Sequence, residues 1–208
     1  MPPLPGGEET TMALQWRDTS ERYGIVSRGL HWGMAVLLAL QFLGMGLKLA
    51  VGRTPLTSFF VSNHAPLGVL LLVLCVLRIG WGLANARRRP RQRRDLLGRL
   101  ALAGHGALYL LMLLVPTLAL LRLYGSGRGF RPYGIELIAP SERKLEWTEL
   151  PAELLHGELA WVMLALIAGH VAMALLHRFW WRDGVLARMW GGRARARRPA
   201  ASADEMPA

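Results

Sequence analysis

His31, His64, His105, His156, His170 and His177 are the only histidines of this 208-residue chain, and each lies inside or at the end of a long apolar stretch. An ionisable side chain is costly to bury in hydrocarbon, so its presence there marks a functional position by default. Spacing begins to sort the six. His170 follows His156 by fourteen residues, about 21 Å at helical rise, and fourteen steps of 100° end about 40° short of four full turns. Those two share one face of a helix at two depths, and His177 follows on that face seven residues later. Zinc and di-iron centres gather three or four ligands at one point, often with carboxylates. Haem iron instead takes two axial ligands on opposite sides of a flat macrocycle, which suits histidines facing each other across a bundle. The single cysteine, Cys75, leaves no disulfide framework and no cysteine-ligated zinc or iron–sulfur site.

The stretches that carry these histidines run from Leu30 to Val51, from about His64 to Leu83, from Leu100 to Leu121, and from about Leu154 to His177. Each has about 20 residues, the length a helix needs to cross about 30 Å of hydrocarbon. The fold expected is an all-α membrane protein, a bundle of four transmembrane helices, with Pro116 kinking the third. The first stretch starts too far in, is too long and lacks the cleavage site of a signal peptide. Residues 1–22, with Pro2, Pro3, Pro5, Gly6 and Gly7, read as a flexible cytoplasmic tail, residues 23–190 as the membrane domain, and residues 191–208 as a second, basic tail.

Hydrophobic residues make up 52% of the chain, yet 25 Lys and Arg against 14 Asp and Glu give a net charge of +11. Such a chain must segregate its two characters. The basic residues concentrate before the first stretch, between the second and third (Arg87 to Arg99), and after the fourth (Arg178 to Arg198). The opposite side holds fewer, offset by Glu136, Glu142, Glu146, Glu149, Glu153 and Glu158. The asymmetry puts both termini in the cytoplasm. Arginine runs of this kind are topology signals held at anionic headgroups of the lipid bilayer, and nucleic acid is not an expected partner.

Orientation then assigns depth. His64 and His156 open the stretches that enter from the outer side, and His31 and His105 open those that enter from the cytoplasm. Either of the latter pair has a depth suited to partner His170; His31 does so if the first helix begins near Tyr23. Gly33, Gly44, Gly46, Gly68, Gly104, Gly157 and Gly169 lie within the spans, several beside a histidine or four residues from one. They suit close approach of a porphyrin plane, although small residues at such spacing also serve helix packing.

These residues meet a family pattern. Leu30-His31-Trp32, Asn63-His64, Gly104-His105 with Tyr109-Leu110-Leu111, the segment Tyr124 to Pro140, Leu155 to Ala160, His170, and His177 to Asp183 together resemble the bacterial cytochrome b561 family. The resemblance runs from about Arg22 to Met189. It implies two haem b groups in the bundle, His31 and His170 on the iron of the cytoplasmic-side haem, and His64 and His156 on that of the outer one. By the same resemblance His105 sits beside the inner haem or its propionates, or is the alternative ligand, and His177 is a quinone-site or snorkelling residue. A second histidine often follows in the family where this chain has Arg178. The implied activity is that of a superoxide oxidase in the bacterial inner membrane, taking electrons from superoxide at the periplasmic face and reducing ubiquinone. Arg128 and Arg131 are the expected steering charges for the superoxide anion. The alternative is a membrane-anchor cytochrome subunit that relays electrons between quinone and a bound soluble redox partner. A haem-free ion or metal transporter would need carboxylates in the spans, where only Glu158 is near one.

Overall fold

The computed structural model describes residues 15–90 and 95–190. Most of the two expected tails, together with Arg91, Arg93 and Arg94 and the arginines from Arg193 to Arg198, lies outside the described residues. The chain forms four long helices: α1 (Ile25–Val51), α2 (Pro55–Ala84), α3 (Leu96–Gly125) and α4 (Glu146–Leu176). A π-helical turn, His177–Trp181, continues α4, and a short α5 (Val185–Trp190) follows. All four long helices are long and apolar enough to span a bilayer. Large apolar side chains such as Leu43, Leu102, Leu110 and Val162 remain exposed on them, as the lipid-facing surface of a membrane bundle requires.

Each helix starts earlier than its apolar run. Thr54 caps α2 by accepting from the Thr57 backbone N–H while the Thr57 hydroxyl accepts from Thr54, and Pro55 takes the first helical position, where its missing N–H costs nothing. Asp95 caps α3 through the Gly98 N–H. Glu146 and Glu149 lie in the first turn of α4, where negative charge complements the helix dipole. His64 and His156 consequently do not open their spans. They lie nine and ten residues inside α2 and α4, about 14 and 15 Å along the axis, and their expected similarity of depth holds.

α1 and α2 form one antiparallel hairpin and α3 and α4 another, with α2 against α3 as the broadest seam between the two. Close approach fixes the second hairpin: a Cβ on Gly125 would collide with the Thr148 side chain. Gly44 likewise abuts the Phe60 ring, so this glycine serves helix packing and not a cofactor plane. A small core of Met34, Leu71 and Cys75 fills the α1–α2 seam. By contrast, the backbones of α1 and α4, and of α2 and α4, hardly approach one another.

The tail expected through residue 22 joins the bundle sooner. Asp18 is 1% exposed. Its Oδ1 accepts from the Gly24 N–H at 2.9 Å, and its Oδ2 accepts from the Ser27 hydroxyl at 2.9 Å and from Arg89 Nε at 3.0 Å. The carboxylate thus ties the chain before α1 to the turn after α2. Beside it, burial pushes the Tyr23 hydroxyl above its ordinary pKa, with the Arg89 guanidinium opposing.

Candidate functional site

Both histidine layers form across helix pairs whose backbones stand apart. At the end of the bundle holding the α1–α2 and α3–α4 connections, the rings of His64 on α2 and His156 on α4 have centroids 6.1 Å apart at an interplanar angle of 74°. Toward the other end, which carries the described segments nearest the termini, His31 on α1 and His170 on α4 stand 6.2 Å apart at 77°. An imidazole nitrogen binds a metal ion at about 2.0–2.1 Å, so two imidazoles on opposite sides of one ion have centroids about 6 Å apart. His105 on α3 comes closer to His170, at 5.2 Å, about 1 Å short of that spacing, and its side chain is exposed. With α1 beginning at Ile25, His31 has the depth that a later start would have denied it.

The protonation of the rings is prepared for ligation on one side. His156 Nδ1 lies 3.0 Å from the Val115 carbonyl oxygen, and the tautomer that donates this bond leaves the Nε2 lone pair for a metal. His64 has a buried Nδ1 with no hydrogen-bond partner among the described residues, an omission that calls for an explanation in a packed protein. Around this pair opens a cavity of about 360 Å³, lined mainly by apolar side chains and by Gly46, Gly68 and Gly157. A Cβ on Gly46 or Gly157 would meet no other atom within 4 Å. These glycines leave space instead of packing a neighbouring helix, and the same holds for Gly33, Gly104 and Gly169 near the second layer. Paired imidazoles, an orphaned ring nitrogen and an apolar cavity between separated helices fit a planar metal macrocycle held by two imidazoles.

The profile described as prokaryotic cytochrome b561 matches residues 22–192. This chain belongs to the prokaryotic cytochrome b561 family. Such a cytochrome carries haem b and moves electrons across a bacterial membrane. Among similar proteins, cytochrome b561 homolog 2 of Escherichia coli (strain K12) is 28% identical over 199 residues, covering 86% of this chain and 96% of the relative. The probable superoxide oxidase CybB of Yersinia pestis is 25% identical over 171 residues, covering 81% and 96% respectively.

The remaining expected residues of this b561-type chain are scattered. Arg128 and Arg131 are exposed on the loop between α3 and α4 and do not line the cavity. Lys48, in the last turn of α1, does. It is the cavity's one ionic side chain among the described residues, and it is absent from the set of site residues that the sequence suggests. His177 opens the π-helical turn; its Nδ1 lies 2.6 Å from Asp183 Oδ2, and its ring meets Trp181 edge-on at 4.6 Å. Segments of π-helix are frequent at functional sites. The α3–α4 loop is pinned by a Phe130–Ile138 bridge and reaches α2, where Tyr133 donates to Asn63.

Proposed function

We propose that this b561-type chain transfers electrons through two haem b groups from superoxide, at the face bearing the α1–α2 and α3–α4 connections, to ubiquinone near the other face. The observation that carries the reading is the near-identical spacing of the two histidine pairs, 6.1 and 6.2 Å, at two levels of one membrane bundle. His64 and His156 would hold the outer haem, and His31 and His170 the inner one. Bound there, the two haems supply one-electron redox steps, while the protein sets their spacing and surroundings.

The chain's own residues do the rest. Lys48 puts a positive charge at the wall of the outer cavity, and Arg128 and Arg131 extend that field onto the covering loop. Each superoxide gives up one electron and leaves as dioxygen. Two such electrons and two protons convert one ubiquinone to ubiquinol. His177, buttressed by Asp183 and at the end of the bundle facing the basic segments, would deliver a proton to a quinone oxygen. The excess of arginine at that end puts it and both termini in the cytoplasm, in a bacterial inner membrane. The name of the Yersinia pestis relative supports the choice of substrate.

A second reading rests on the loop itself. Tyr133, Ile135 and Leu137 are 73%, 65% and 50% exposed on it, and apolar surface outside the bilayer is a docking feature. On that reading the chain is the membrane anchor of a soluble redox partner. The deciding experiment is a pyridine haemochrome assay of the purified protein, followed by stopped-flow reduction with superoxide and with quinol. Two haems per chain, reduced by superoxide and reoxidised by ubiquinone, is the expected outcome; one haem, or reduction by quinol alone, overturns it.

A further inference from the structure

Arg78 is an arginine inside a membrane span, on α2, and its surroundings do not neutralise it. Its Nε donates to the Tyr109 hydroxyl at 2.8 Å and its Nη1 to the Ser27 carbonyl at 2.9 Å. Both acceptors are neutral. Among the described residues no carboxylate pairs with it; Asp18, which accepts from the hydroxyl of the same Ser27, is engaged by Arg89. An uncompensated cation within a span is costly, and such a residue is normally held by an opposite charge. A guanidinium has five N–H donors in a planar fork, and these two bonds use two of them while fixing its plane between α1 and α3.

The position of that plane is specific. Ser27 precedes His31 by four residues on α1, about 6 Å nearer the helix start. Arg78 therefore lies just on the terminal side of the layer holding His31 and His170. Three helices converge there: α1 through Ser27, α2 through Arg78 itself, and α3 through Tyr109. Among the described residues this layer lacks an anion, and a b-type haem carries two carboxylates on one edge.

We propose that Arg78 binds the carboxylate edge of the haem seated between His31 and His170, turning that edge toward the end of the bundle where the termini lie, with Tyr109 and Ser27 as its positioning partners. The inference rests on the two-haem reading above and adds the orientation of one haem and the residue that sets it. A guanidinium meets a carboxylate with two parallel hydrogen bonds, a match that lysine cannot reproduce. The fixed positive charge also favours the reduced iron, which carries one positive charge fewer.

The test uses the purified full-length protein loaded with haem, comparing Arg78→Gln, Arg78→Lys and Tyr109→Phe with the parent. Signals of the two haems are assigned by the one that survives in His64→Ala. A parent with fewer than two haems sinks the underlying reading and not the role of Arg78 alone. With two present, Arg78→Gln is expected to lower the reduction equilibrium of the inner haem about tenfold, which for one electron is about 59 mV, and to speed its loss to apomyoglobin, leaving the outer haem unchanged. Arg78→Lys should restore the potential and not the retention, and Tyr109→Phe should leave the potential within error of the parent. A guanidinium that only braces helices would lower the melting temperature in all three variants without moving either potential, and that result overturns the proposal. An equal shift at both haems does so too. Should Arg78→Gln fail to accumulate, Arg78→Lys decides: inner-haem loss as slow as in the parent refutes the carboxylate contact.

Discussion

Tyr133 donates its phenolic hydrogen to Asn63 Oδ1 at 2.7 Å, and so fastens the α3–α4 loop to the residue immediately before His64. The contact is made from an uncommon backbone: Tyr133 has φ 50°, the left-handed region that a residue with a Cβ adopts at a cost of about 1–2 kcal/mol. Tyr133 is exposed and Asn63 half-buried, and their bond lies in an exposed setting, so it returns only about 0.5–1.5 kcal/mol. The two nearly cancel.

That balance makes a pair of substitutions informative. Tyr133→Phe keeps the strain and loses the bond, and should destabilise the loop by about 1 kcal/mol, read as faster proteolysis between Ser126 and Leu145. Tyr133→Gly loses both and should cleave at a rate closer to the parent's. Equal protection in Tyr133→Phe and the parent would show that the bond fastens nothing.

His64→Ala or His156→Ala should empty the haem site between α2 and α4 and leave the other occupied. Haem-to-protein ratio and resolved redox titration measure this. Retention of the outer haem with loss of the inner one would reverse the pairing.

His31 and His105 compete for His170 at 6.2 and 5.2 Å. His31→Ala should abolish the low-spin bis-imidazole signal of the inner haem in electron paramagnetic resonance, and His105→Ala should preserve it. The opposite pattern assigns the iron to His105.

Capture of an anion by Lys48, Arg128 and Arg131 should weaken as salt rises, because the screening length is about 10 Å at 0.1 M. Lys48→Met, at the cavity wall, should lower the rate of reduction by superoxide more than Arg128→Gln with Arg131→Gln, and all three should flatten the salt dependence without changing haem content. A rate indifferent to salt and to these substitutions favours the anchor reading.

The buried Tyr23 hydroxyl has its pKa raised by desolvation. Below about pH 10, the ordinary tyrosine value, it is protonated in both folded and unfolded chains and its contribution to stability is complete. As pH climbs through the raised folded value, the unfolded state releases its proton first and stability is lost. Tyr23→Phe should therefore lessen the fall in melting temperature between pH 9 and 11. A parallel fall in both proteins would mean that Tyr23 titrates as an exposed phenol.

The four spans and the two-level arrangement of histidines were legible because burial in hydrocarbon imposes length and excludes charge, and both leave marks in a single sequence. Helix starts were not. Thr54-Pro55 and Asp95 begin helices outside the apolar runs, where hydrogen bonding and not hydropathy decides, although Thr54-Pro55 carries a capping pattern that could have been read. Asp18 gave no signal at all, since its partner Arg89 is 71 residues distant and sits in a run of arginines. In the sequence Arg78 and Lys48 are no more than single charges within apolar stretches, because what distinguishes them is the company of residues on other helices.

The clasp made by Asp18 has a consequence for biosynthesis. Its donors Gly24, Ser27 and Arg89 all precede α3, so the first hairpin can complete this bonding while the second is still on the ribosome. His31 and His64 then wait on a finished half, and their partners His170 and His156 arrive together on α4, the last of the four long helices among the described residues. Order of translation thereby keeps either histidine pair from forming before α4 has been made.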